Sequence, residues 1–216
     1  MRGLAKAYVG ARIHDGQTLQ DDHALVVHAD GAFSVQPHAA LPDGCPRQTL
    51  DGGLITPGFV DLQVNGGGGV MFNDDQSVAT LRKIADAHAT TGTCALLPTL
   101  ITDTPARTQA AIDAVGAAIA EGVSGIIGIH LEGPHLSVAR KGAHDPDLIR
   151  PMSDEDLSLM LHAAESLANV MVTVAPEMMF RSWAEPRSCA SATASIRFAP
   201  ISASYAARSP ADACTI

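Results

Sequence analysis

Four apolar stretches separated by amphipathic ones dominate the chain from residue 54 onward: LITPGFVDLQVN (54–65), TCALLPTLI (93–101), SGIIGIHLEG (124–133) and ANVMVTVAPE (168–177). Each is apolar nearly throughout instead of alternating, so each needs cover on both faces. That is the pattern of a parallel sheet clothed by helices. The segments between them carry helix-start chemistry. Ser77 can cap a helix that puts Val78, Leu81, Ile84 and Ala85 on one face. Thr104-Pro105 is an N-cap followed by Pro at the first helical position, and the stripe Ile112, Val115, Ile119 stops at Gly122. Ser153 precedes Asp154, Glu155 and Asp156, a cap with negative charge on the first turn, ahead of Leu157, Met160 and Leu161. The spacing predicts an α/β fold of about four βα units. Periodicity alone fits half of a closed barrel or a small open sheet equally well.

Before this region, AYVGARIHDG, HALVVHADG and AFSVQ read as short strands, with Asp30-Gly31 as a hairpin turn and PDGCP (42–46) as another turn cluster. Residues 5–50 are thus expected to form a small β-meander, and residues 54–179 the α/β region. After residue 179 the alphabet changes. The last 37 residues hold 10 Ala, 7 Ser and 4 Arg but no Gly, Leu, Val, Lys or His, whereas all 19 Gly and all 9 His precede them. Residues 180–216 are expected to be a disordered tail or a stretch read out of frame, and the abruptness of the change favours the second.

Composition narrows the class. With 46% hydrophobic and 17% charged residues the chain suits an ordinary globular protein. A formal charge of -9 with no basic block argues against a nucleic-acid or anionic-membrane surface. The N-terminal MRGLAKAYVGARIHDG lacks the apolar core of a signal peptide and no run approaches transmembrane length, so a cytoplasmic protein is expected. Cys45, Cys94, Cys189 and Cys214 show no C-x-x-C spacing, which suggests neither a disulfide framework nor a structural zinc site.

Chemistry in such folds gathers at the carboxyl ends of the strands. Here those ends are DLQVN (61–65), Pro98-Thr99, HLEG (130–133) and Ala175-Pro176-Glu177. Residues i and i+2 of a strand face the same way, so His130 and Glu132 would share the inner face. A carboxylate there is costly unless paired or bound to a cation, which makes Glu132 a candidate metal ligand. A Glu hydrogen-bonded to nearby backbone or to His130 fits the same nine residues. Gln63 and Asn65 put amides where many barrel hydrolases carry His-x-His; amides are weak ligands for zinc or iron, so a second metal is disfavoured there. NGGGG (65–69) lacks the spacing of a nucleotide loop and reads as backbone in positive φ or in close approach. RKGAHDP (140–146) brings Arg140, Lys141 and His144 together and could hold a sugar or phosphate oxygen.

TPGFVDLQVNGGGGVMFND (56–74), LLPTLITD (96–103), GIHLEGPHL (128–136), KGAHDPDLIRP (141–151) and VTVAPEM (172–178), in this order and spacing, resemble the N-acetylglucosamine-6-phosphate deacetylases of the amidohydrolase superfamily. The resemblance covers roughly residues 5–178. It implies a partial (β/α)8 barrel of the TIM type, with residues 1–53 as the first part of a small β-sandwich. The implied reaction is hydrolysis of N-acetylglucosamine 6-phosphate to glucosamine 6-phosphate and acetate, helped by one divalent metal ion, zinc or iron. Glu132 would be a metal ligand, Ala143 and His144 would contact the sugar phosphate, and Gln63 and Asn65 match members that use one metal. An intact member is expected to be a homo-oligomer.

The resemblance also expects two histidine ligands and a catalytic Asp on later strands. No His follows His162, so no catalytic residue is assigned. A whole barrel takes about 250 residues, and the chain is expected to be an interrupted deacetylase, inactive alone. The competing readings are a non-catalytic half-barrel that binds a sugar phosphate or dimerises, and an amidohydrolase acting on cyclic amides, against which the missing His-x-His counts.

Overall fold

The computed structural model describes residues 4–175 and 178, and within them the stretch 54–65 is two strands where one was expected. Thr56-Pro57-Gly58 divides it, because Pro57 has no N–H for a ladder and Gly58 gives the backbone no side chain to pack. The contacts divide at the same place, into one unit up to Gly58 and another from Phe59 onward. The atypical tail read from residue 180 lies outside the described residues.

The first unit has, among its described residues, seven short strands: β1 (Leu4–Val9), β2 (Arg12–His14), β3 (Leu19–Gln20), β4 (His23–His28), β5 (Phe33–Pro37), β6 (Arg47–Thr49) and β7 (Leu54–Ile55). They form two sheets, in the orders β5-β4-β1-β6 and β3-β2-β7. β4 and β5 make the hairpin expected at Asp30-Gly31, closed by the His28 N–H on the Ala32 carbonyl at 2.7 Å. The unit is not a simple meander, however. β6 and β7 return parallel to β1 and β2, each crossing over after an irregular loop. Ala11, Ile13 and Ile55, with Tyr8, Leu25, Val35 and Leu50 against them, fill one small core, and Ala7, Val9, Ala24, Val26 and Leu41 another.

The second unit runs β8 (Phe59–Val64), β9 (Gly66–Gly67), β10 (Val70–Met71), α1 (Val78–Ala89), β11 (Thr93–Ile101), α2 (Pro105–Ala120), β12 (Ile129–Glu132), α3 (Asp154–Ser166) and β13 (Val170–Thr173). Its main sheet has the order β13-β12-β11-β8, every pair parallel. A doubly wound sheet reverses its strand order; here each strand is laid beside its predecessor in one direction, as in the wall of a barrel. Among the described residues this sheet has four strands, joined by three crossover helices. Between sheet and helices lies the main core, in which Phe72, Leu81, Ile84, Leu96, Ile112, Val115, Ile126, Ile129 and Leu131 are almost fully buried. No helix among the described residues is long and apolar enough to cross a membrane.

The helices begin where their caps dictate. Ser77 Oγ accepts from the Thr80 N–H and Thr104 Oγ1 from the Arg107 N–H. The start of α3 is a full capping box, in which Ser153 Oγ accepts from the Asp156 N–H at 3.1 Å and Asp156 Oδ2 accepts from the Ser153 N–H at 3.2 Å. Asp156 is 4% exposed and also receives Arg150 Nη2 on Oδ1 at 2.7 Å. Burial works to raise its carboxyl, but the hydrogen bonds from Arg150 and Ser153 and the Arg150 charge outweigh it and hold the group below its ordinary 3.8. The NGGGG loop is the tight hairpin β9–β10: Gly68 and Gly69 turn it with φ of 61° and 82°, and His88 on α1 donates from Nε2 to the Gly66 carbonyl at 3.0 Å.

Two expectations follow. Ile84→Ala opens a cavity in the main core and lowers stability by about 3 kcal/mol, read as a lower urea midpoint at unchanged slope. Asp156 titrates lower when folded than unfolded, so its contribution is complete above 3.8 and is lost as pH falls through its lower folded value. Asp156→Asn costs about 2 kcal/mol at pH 7, less than a fully buried pair because Arg150 keeps some access to water, and the deficit relative to the parent shrinks in acid melts below 3.8.

Candidate active site

The parallel registers bring the carboxyl ends of β8, β11, β12 and β13 to one end of the sheet. Thr99 pairs with His130, Ile101 with Glu132, and Glu132 in turn with Thr173. β11 carries Pro98, which cannot donate, and its register with β8 shifts there; the Val64 N–H is met instead by Thr99 Oγ1 at 2.9 Å. At the end of β11, Asn73 acts as an extra strand neighbour. Its Oδ1 accepts from the Ile101 N–H at 3.0 Å, and its Nδ2 donates to the Ile101 carbonyl at 3.1 Å and to Asp103 Oδ2 at 3.0 Å.

Glu132 closes β12 with its side chain 20% exposed. Gln63, at the end of β8, donates from Nε2 to Glu132 Oε2 at 2.9 Å. On the other oxygen, His144 Nε2 stands 3.8 Å from Oε1, too long for a hydrogen bond. Glu132 therefore keeps lone pairs that no described side chain fills, at a polar strand end where a cation or a substrate donor can take them.

His144 lies on the long loop between β12 and α3 and is 8% exposed. The Thr102 N–H points at its Nδ1 at 3.3 Å, and Thr102 Oγ1 lies 2.7 Å from the same atom. A backbone N–H can only donate, so Nδ1 is the bare nitrogen and, in the neutral ring, Nε2 carries the hydrogen toward Glu132. Gly133 makes this arrangement possible. It has φ of 87°, and a Cβ there would collide with Thr102 Oγ1.

His130 shares the inner face with Glu132 but makes its own bonds, Nδ1 to Thr99 Oγ1 at 3.3 Å and Nε2 to Thr173 Oγ1 at 2.8 Å. Burial pushes its imidazole below the usual histidine value, against the pull of the Glu132 charge and a backbone hydrogen bond with Leu62. The neutral ring is favoured, wedged among hydroxyls.

Of the residues singled out in the sequence, Gln63, Glu132 and His144 come together. At Asn65 the backbone carbonyl accepts from the Phe72 N–H at 2.9 Å. Ala143 is exposed on the turn before His144. Lys141 folds back on its own loop, with Nζ 3.4 Å from the His144 carbonyl. Thr102, which sets the His144 tautomer, was not singled out; the LPTLITD motif spans it, but a lone Thr after a strand gives no signal of its own. Among the described residues no group of three His, Cys, Asp or Glu side chains could hold a metal ion. Glu132 can contribute one anionic ligand, and the described residues do not make up a complete metal site.

Residues 54–196 match the amidohydrolase family. Over 132 residues the chain is 48% identical to the N-acetylgalactosamine-6-phosphate deacetylase of Shewanella sp. (strain ANA-3), covering 61% of this chain and 33% of that protein. Over 149 residues it is 34% identical to the N-acetylglucosamine-6-phosphate deacetylase of Haemophilus influenzae, covering 69% of this chain and 39% of that protein. Among solved structures, the N-acetylglucosamine-6-phosphate deacetylase of Pasteurella multocida superposes with a TM-score of 0.70 at 34% identity, over 76% of this chain and 44% of that one. A mutant of the Mycobacterium smegmatis enzyme in complex with N-acetyl-D-glucosamine-6-phosphate gives 0.68 at 30% identity, over 81% and 44%. The chain thus spans between 33% and 39% of the length of these two curated relatives. It is related to sugar-phosphate deacetylases, and it belongs to the amidohydrolase family.

Proposed function

We propose that the site at the strand ends binds an N-acetylhexosamine 6-phosphate and serves its deacetylation, in which water cleaves the acetamide C–N bond to give the amino-sugar phosphate and acetate. The observation that carries this reading is the pairing of an under-bonded carboxylate, Glu132, with an imidazole whose tautomer is set by Thr102. The relatives act on both the gluco and the galacto epimer by name, so the proposal covers both.

Each residue has a task that its position allows. Gln63 fixes the rotamer of Glu132 by donating to Oε2, leaving Oε1 toward the substrate side. His144, with its hydrogen on Nε2, presents a donor to a sugar hydroxyl or to the acetamide oxygen. The Ala143 turn brings backbone close to the ligand with little steric bulk. A divalent ion, zinc or iron, when bound, would polarise the acetamide carbonyl and make a water more acidic. Glu132 would be its ligand from this region, and since the described residues do not complete the set, no step is assigned to the ion.

Titration of the purified chain with N-acetylglucosamine 6-phosphate and with N-acetylgalactosamine 6-phosphate tests the reading. Saturable binding of at least one epimer is expected, weakened about tenfold in His144→Ala by loss of one neutral hydrogen bond to the ligand. No saturable binding of either epimer refutes it. Acetate release by the same preparation separates the two expectations set by the sequence. Turnover lost in Glu132→Gln would show an active chain; binding without turnover would fit a chain inactive alone.

A further inference from the structure

The loop that carries His144 leaves β12 at Gly133 and reaches α3 at Ser153, with a single 3-10 turn, Val138–Arg140, as its only regular element. A loop of this length holds a side chain in place only if it is tied down. Arg150 supplies the ties. Its N–H donates to the Pro134 carbonyl at 3.3 Å, and its own carbonyl accepts from His135 Nδ1 at 2.9 Å, with His135 fully buried. The two ends of the loop are thereby closed on each other. Its guanidinium then reaches outward, from Nη1 to the carbonyls of Asp103 and Leu148, each at 3.3 Å, and from Nη2 to Asp156 Oδ1 at 2.7 Å.

The link to Asp103 is the informative one. Asp103 follows Thr102, the residue that holds His144 Nδ1, so two consecutive residues after β11 grip the loop at two points, His144 in its middle and Arg150 near its end. Asp156 anchors the other side of the guanidinium and is itself pinned by Ser153 in the α3 cap. His144 Nε2 stands 3.8 Å from Glu132, so a movement of less than an ångström closes or opens that contact. Arg150 makes no hydrogen bond to Glu132 or His144, yet it ties the end of β12, the residue after Thr102 and the cap of α3 to the end of the loop that carries His144.

We propose that Arg150 is a positioning residue: by bridging the Asp103 carbonyl and the Asp156 carboxylate it fixes the loop so that His144 presents Nε2–H beside Glu132. The consequence for ligand binding rests on the function proposed above; the consequence for the His144 ring does not. The direct readout is the ¹⁵N signature of the His144 ring in the full chain, unmodified and as Arg150→Met and Arg150→Lys. In the unmodified chain Nδ1 is expected at a bare-acceptor shift and Nε2 at a protonated one. Arg150→Met should collapse that separation toward an average while the backbone amides of β8, β11 and β12 hold their positions. Arg150→Lys keeps a cation for Asp156 but cannot reach the Asp103 carbonyl at the same time, so it should collapse the separation with little loss of melting temperature. It decides the question alone if Arg150→Met does not fold.

A lower melting temperature with the His144 signals still separated in the folded variants would overturn the proposal, leaving Arg150 as a stabilising residue only. Binding of N-acetylglucosamine 6-phosphate and N-acetylgalactosamine 6-phosphate is the second readout, expected to weaken about tenfold in Arg150→Lys. If the unmodified chain binds neither while the ring signals respond to Arg150, the proposed function fails and the positioning role stands.

Discussion

β11 is held in parallel register on both sides, by β8 and by β12, and the whole candidate site is laid out against it. The register places Ile101 opposite Glu132, and Thr99 between the Val64 N–H and His130. Just beyond the strand, Thr102 and Asp103 hold the loop from β12. A slip of one residue between β11 and β12 would turn Glu132 toward the helices and bury its charge without a partner, and a slip between β8 and β11 would turn Gln63 away from it. The apolar core of Leu96, Ile129 and Leu131 against α1 and α2 sets the register, so the same burial that stabilises the sheet aims its polar ends.

Much of this was legible in the sequence where the physics is local. The caps at Ser77, Thr104 and Ser153 each bond the backbone three residues on, and the helices start where those residues stand. β11 matches its apolar run from Thr93 to Ile101 in full, even with Pro98 inside it, because the shift of register gives that residue a position without a ladder bond. The stretch 54–65 reads as one strand because its apolar content outweighs the Thr56-Pro57-Gly58 break, whereas it folds as Leu54–Ile55 and Phe59–Val64. The parallel returns of β6 and β7 were invisible, because a run of short strands carries no mark of which neighbour each will choose. At the site, a strand-end Glu with a carboxylate to satisfy was readable. That its partner would be Gln63 was not, since the two stand 69 residues apart and meet only once the sheet forms.

Two carboxylates in this unit show how donors divide structure from chemistry. Asp156 receives the Ser153 N–H and hydroxyl and the Arg150 guanidinium, and these hold its pKa low despite burial. All of its acceptor capacity goes to a helix cap and a loop end. Among the described residues Glu132 receives one neutral amide and has an imidazole nitrogen standing off at 3.8 Å. A fold that needed Glu132 only for stability would gain by bonding it fully, as it does Asp156. An under-bonded acid at the carboxyl end of a parallel strand is the arrangement in which an outside partner gains most.

The loop from Gly133 to Met152 connects these two carboxylates in space and in sequence. Ordering so long an irregular segment is entropically expensive and is met by bonds from Arg150, His135 and Lys141 to backbone carbonyls, and from the Thr102 N–H to the His144 ring. Such bonds fix direction more than they add stability, because each replaces a bond to water. The loop is therefore built for placement, and the residue with the most to gain from placement is His144, whose ring is held on one nitrogen by Thr102 while the other is left for the site.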